Sequence, residues 1–108
     1  MINFDKIKEI INPNFKDGDG DTAIRMFSDD KVKIMRITLK KGCSIGHHAH
    51  ETNCEIIYII SGQAKCILDG KEEILNPGES SYCPKGSAHT TINNGDKDLV
   101  FFAVVAEQ

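Results

Sequence analysis

Apolar and polar residues alternate with a period near two along most of this chain, and turn residues break the alternation roughly every eight to twelve positions. That is the rhythm of a β-sandwich or barrel. The runs at residues 22–27, 32–40, 54–60, 64–68, 71–75, 80–83, 89–93 and 99–105 are bounded by Gly, Pro, Asn or Asp and predict about eight short strands. Between Leu68 and Lys71, the pair Asp69-Gly70 predicts a two-residue type I′ hairpin, because both central residues there take positive φ. Residues 99–105 are apolar on both faces, so that strand is expected to be covered twice, by the core and by another layer or another subunit. Only residues 3–11 show helical spacing, with Phe4, Ile7 and Ile10 or Ile11 on one side. They predict a short N-terminal helix acting as a lid or packing element. The chain therefore reads as all-β, a small barrel with one short helix at its start.

Composition narrows this picture. A chain of 108 residues supports one core and is too short for a second, so residues 1–108 are read as a single domain. With 40% hydrophobic and 27% charged residues it resembles ordinary packed proteins, which excludes disordered and fibrous classes. Thirteen basic against sixteen acidic residues give a formal charge of −3, without the basic surplus that a nucleic-acid partner demands. No apolar run near Met1 has the length of a signal peptide or membrane helix, so the expectation is a cytoplasmic protein without a membrane partner. Cys43, Cys54, Cys66 and Cys83 are widely spread, with no CxxC, and read as reduced, buried thiols rather than disulfides. The acidic turn at residues 16–21 lacks the downstream Glu of a calcium loop and reads as a solvated turn.

The chemistry-bearing residues are His48, His50, Glu55 and His89. Imidazole and carboxylate together suit one divalent transition-metal ion, among manganese, iron, cobalt, nickel and zinc. Two apart on a strand, His48 and His50 leave the same face. Glu55 has the wrong parity for that strand, so the chain must turn at Glu51-Thr52-Asn53 and bring the carboxylate back on the next one. His89 opens a later strand, after the turn at Pro84-Lys85-Gly86. His47 has the opposite parity and is expected at the surface.

These residues carry a family resemblance. Gly42, His48, His50, Glu55 and Gly62 match the first cupin motif, over residues 42–62, and Gly78, Pro84, Gly86, His89 and Asn93 match the second, over residues 78–93. The chain thus resembles small metal-binding cupins, and the resemblance implies a double-stranded β-helix, or jelly-roll, whose ion is held by His48, His50, Glu55 and His89. It also implies paired barrels, and together with the doubly apolar run at 99–105 it predicts a homodimer.

The pocket is less legible. Ile57 and Ile59 share parity with Glu55 and are expected to line the same interior, with Tyr82 and Phe102 contributing to its walls. Arg36 is a candidate for gripping a carboxylate-bearing substrate, with surface placement as the alternative. On its strand, Val32, Ile34, Arg36 and Thr38 take one face and Met35, Ile37 and Leu39 the other, and the alternation alone does not say which turns inward. Two functions stay open: a metal-dependent enzyme of dioxygenase, isomerase or decarboxylase type, and a non-catalytic module that binds or senses a sugar or organic acid. Each has a small molecule as its partner.

Overall fold

A computed structural model describes residues 1–108. In chain order the strands are β1 (Ile10–Pro13), β2 (Asp21–Ser28), β3 (Val32–Leu39), β4 (Ser44–Ala49) and β5 (Asn53–Ser61), then β6 (Ala64–Leu68), β7 (Lys71–Leu75), β8 (Ser80–Cys83), β9 (Ala88–Asn93) and β10 (Leu99–Glu107). They form two antiparallel sheets, a six-stranded one ordered β1-β2-β3-β10-β5-β8 and a four-stranded one ordered β4-β9-β6-β7. The two sheets close face to face into a jelly-roll barrel. No helix is long and apolar enough to cross a membrane.

Strand alternation places the core. On β5, Glu55, Ile57 and Ile59 are buried while Ile56, Tyr58 and Ile60 are exposed, the pattern of a strand with one face turned to an interior. β10 runs between β3 and β5 along its whole length, which accounts for its doubly apolar sequence. Register stacks the inward side chains of these three strands into rows: Met35, Ala103 and Ile57, then Ile37, Phe101 and Ile59, then Leu39 and Leu99. Leu39, Ile59, Leu99 and Phe101 are 0% exposed, and each such side chain contributes about 1.5–3 kcal/mol by leaving water. The predicted hairpin is present, with Asp69 at φ 48° and Gly70 at φ 82° joining β6 to β7. Cys54, Cys66 and Cys83 are buried free thiols, and burial pushes Cys66 and Cys83 up to about 11.

The N-terminal helix is not formed. Residues 3–11 hold a single 3-10 turn over Phe4–Lys6, capped by the Asn3 side chain accepting from the Asp5 N–H at 3.1 Å, and then enter β1. A nine-residue segment is too short to hold a helix by itself, and pairing of Ile10–Pro13 with β2 satisfies its backbone instead. The segment lies on the outer face of the six-stranded sheet, with Phe4 against Phe102 at a centroid distance of 5.3 Å. The strand expected to carry His48 and His50 is β4, which ends at Ala49 and lies outside the eight alternating runs because Ser44–Ala49 has little β-branched content.

Candidate metal centre

Three strands, β4, β5 and β9, and the bend after β4 converge at one end of the barrel. β4 pairs with β9 through an irregularity between Ile45 and His48 that restores register at His48 opposite His89, so the two imidazoles face each other. His50 lies one residue beyond β4. Its N–H donates to Ser87 O at 2.9 Å and its carbonyl accepts from the Gly86 N–H at 2.7 Å. The positive φ of Gly86, 91°, makes that tight approach available. Glu55 arrives from β5, on the opposite sheet, after the bend at residues 50–52.

The donor atoms cluster tightly. His50 Nε2 is 3.0 Å from His89 Nε2, which is 3.1 Å from His48 Nε2. Glu55 Oε1 lies 2.9 Å from both His50 Nε2 and His89 Nε2, and 3.7 Å from His48 Nε2. Two donors about 2.1 Å from a shared ion and at right angles stand about 3.0 Å apart, so most of these separations are those of neighbouring positions around one octahedral cation. His50, Glu55 and His89 are buried and His48 half-buried.

Outer contacts set the imidazole tautomers. His48 Nδ1 lies 2.8 Å from Gly46 O, which can only accept, so Nδ1 carries the proton and Nε2 presents its lone pair. His50 Nδ1 lies 2.6 Å from Asn53 Oδ1, and the Asn53 amide is held with its oxygen toward His50 because its Nδ2 donates to Glu107 Oε1 at 3.4 Å. Lone pairs from two imidazoles and a carboxylate are therefore aimed at one point. Burial pushes the Glu55 carboxyl up, but its contacts with the His48, His50 and His89 imidazoles overcome this and hold it well below the usual carboxylate range. The same Glu55 contact raises His50 above its ordinary value, against the opposing effect of its burial. Asp69 accepts the Ala88 N–H at 3.0 Å and so ties the β6–β7 turn to the strand that carries His89.

A second support comes from two glycines. A Cβ on Gly46 would run into the Lys16 carbonyl and Gly18 N, and one on Gly18 would run into the Ser44 carbonyl and Gly46 N. The loop before β2 thus lies directly on the β4 backbone, beside the carbonyl that orients His48.

The donors open into a cavity of about 630 Å³ whose apolar lining includes Ile24, Met35, Ile37, Ile45 and Val105. The four predicted ligand residues meet at this site; the predicted pocket residues do not line it. Ile57 and Ile59 point inward as their parity requires, but they fill the core below the cavity. Arg36 is on the outer face, paired with Asp5 at 2.7 Å and lying 5.9 Å from the Phe4 ring centroid. The inward face of β3 is the one bearing Met35, Ile37 and Leu39. Phe102 is outside for the same reason of parity, and Tyr82 is exposed on the edge strand β8. His47 is exposed, as expected. Lys8, Lys16, Lys33 and Asn53 line the cavity and were missed; the parity of Lys33 with Met35 and Ile37 was the available signal.

Comparison with known proteins agrees with this architecture. The Cupin domain family model matches residues 35–105. The chain is 36% identical over 70 residues to an oxalate-binding protein of Thermotoga maritima, covering 65% of this chain and 58% of that one. It is 31% identical over 68 residues to quercetin 2,3-dioxygenase of Bacillus subtilis, covering 63% of this chain and 20% of the enzyme. The chain therefore spans less than two thirds of either relative. A crystal structure described as a predicted oxalate decarboxylase from Thermotoga maritima superposes with a TM-score of 0.95 at 26% identity, covering 100% of this chain and 99% of the other. With the family match spanning both halves of the barrel and all four clustered donors, the chain belongs to the cupin family.

Proposed function

We propose that the chain binds one divalent transition-metal ion, of manganese, iron, cobalt, nickel or zinc, on His48, His50, Glu55 and His89, and presents it to a small oxygenated metabolite. The observation that carries this reading is the convergence of the His48 and His50 lone pairs on Glu55 Oε1, an arrangement of acceptors facing acceptors that a cation relieves. Three neutral imidazoles and one carboxylate leave such an ion net positive, and six-coordination leaves two positions for ligand or water. The ion would polarise a carbonyl or carboxylate oxygen, or support oxygen chemistry if it is redox-active. The chain itself holds the donors at one end of a largely apolar cavity and excludes bulk water from Glu55 and His89. The single domain of residues 1–108 carries the whole site.

On this reading the protein is a metal-dependent enzyme of dioxygenase, isomerase or decarboxylase type. The alternative is a non-catalytic binding module, favoured by the likeness to an oxalate-binding protein. Elemental analysis of purified protein tests the shared core: near-stoichiometric metal in the parent chain and under a tenth of that in His89→Ala. Equal metal in the two removes the site. With metal restored, turnover of carbonyl, carboxylate or flavonol substrates supports the enzyme, and binding without turnover the module.

A homodimer belongs to this proposal. On the outer face of the six-stranded sheet, register lines up Phe27, Ile34, Val104, Ile56 and Tyr82 across five strands, a row about 20 Å wide without a charge. Phe27, Ile56 and Tyr82 are exposed. A two-fold axis through this row sets like against like in a second copy. Light scattering is expected to give twice the 12.0 kDa chain mass, and Ile56→Lys half of that value; a monomeric parent at micromolar concentration refutes the pairing.

A further inference from the structure

We infer that the cavity selects a metabolite with a second anionic group, carboxylate or phosphate, held by Lys8, Lys16 and Lys33 away from the metal donors; this rests on the metal reading above and names the ligand class. The chain carries a net charge of −3, yet its cavity gathers three lysines against Glu51 as the only carboxylate outside the donor set. They come from separate elements: Lys8 precedes β1, Lys16 sits in the loop before β2, and Lys33 is on β3. None has a carboxylate partner within 4.0 Å, so their charge is free to meet a ligand, as it also is for six lysines outside the cavity.

All three lysines are exposed, and what groups them is that they line one cavity. Lys33 shares the inward face of β3 with Met35, Ile37 and Leu39, the remaining members of which are buried and apolar. Register puts Lys33, Val105 and Glu55 in one inward row, so Lys33 and the carboxylate donor are two strand spacings, about 10 Å, apart. Lys8 shares parity with Ile10 and Asn12, which also line the cavity. Lys16 is presented by the loop that Gly18 and Gly46 seat on β4, with Phe15 packed against the core and the ammonium 5.4 Å from its ring centroid.

These distances imply a ligand longer than oxalate. With a lysine stem bridging part of the 10 Å row, a chain of roughly four carbons spans the remainder between an oxygen at the donors and an anion at the lysines. Oxalate would occupy the donor end and leave the lysines unanswered.

The test uses the full chain, after metal loading has been measured by elemental analysis. Calorimetric titrations with succinate, 3-phosphoglycerate and succinamate, the half-amide that keeps the length and loses the second charge, read the selection. Succinate or 3-phosphoglycerate is expected to bind about tenfold tighter than succinamate, and the tighter of the two identifies the remote group as carboxylate or phosphate. In Lys8→Gln/Lys16→Gln/Lys33→Gln the preference is expected to fall below threefold with metal content unchanged. Equal affinity for succinamate, succinate and 3-phosphoglycerate, a preference that survives the triple substitution, or no binding of succinate or 3-phosphoglycerate at millimolar concentration overturns the inference while leaving the metal reading intact. Protein that takes up no ion overturns the metal reading instead, and the lysines are then judged by 3-phosphoglycerate binding to metal-free parent and triple variant, where equal affinity defeats them.

Discussion

The two ends of the barrel are made from the same strands and do opposite things. At the closed end, Phe101, Ile59, Leu39 and Leu99 are 0% exposed and carry no polar side-chain atom. Only a few residues along, the row Lys33, Val105, Glu55 is charged on both flanks and borders the cavity. The closed end supplies stability by burial; the open end holds costly polar groups whose geometry that stability maintains. Rigidity at one end is what permits the donor atoms of three imidazoles and a carboxylate to be held within 4.8 Å of one another at the other.

The division can be attacked at either end. The largest effect is expected from Phe101→Ala, which empties a 0% exposed site and should cost about 3–5 kcal/mol in urea unfolding, with metal per folded molecule unchanged. Loss of metal in the residual folded fraction would show the ends to be coupled. Asn53→Ala acts at the open end: it removes the acceptor that fixes His50 Nδ1, and should weaken metal affinity about 10–100-fold in chelator competition while moving unfolding stability by less than about 1 kcal/mol. An unchanged affinity would mean that Asn53 does not orient the imidazole.

The smallest effect is in the pH profile. In metal-free protein the raised His50 contributes stability that is fully present below its ordinary 6.5 and is lost as pH climbs through the raised value. The lowered Glu55 contributes stability that is present above its ordinary 4.5 and is lost as pH falls toward the depressed value. Metal-free melting temperature should therefore be highest between these limits and decline above 6.5. Metal binding needs neutral imidazoles, so saturating metal should turn that decline into a rise. Parallel profiles with and without metal would argue against the His50–Glu55 contact as the ligand pair.

Legibility follows the same division. His48, His50, Glu55 and His89 were readable because their spacing and parity permit a single meeting point, and the paired motif residues around them mark the turns that create it. The Asp69-Gly70 hairpin was readable because its turn chemistry is local. Phe102 was misplaced, and the structure chose the surface alternative for Arg36, because alternation orders the two faces of a strand without saying which one the opposite sheet covers. Residues 3–11 were misread because helical spacing in so short a segment yields to pairing with β2. The hold of Glu107 on Asn53 joins residues 54 apart in sequence, a relation that only the closed fold creates.

Gly18 and Gly46 touch backbone to backbone, and neither has a side chain to contribute. Any larger residue at either position acts as a wedge between loop and strand, tilting the carbonyl that steers His48 and lifting Lys16 away from the cavity mouth. Two residues with no functional group thereby govern both a donor and a charge, and variants there should behave as chemical lesions although no chemistry was removed.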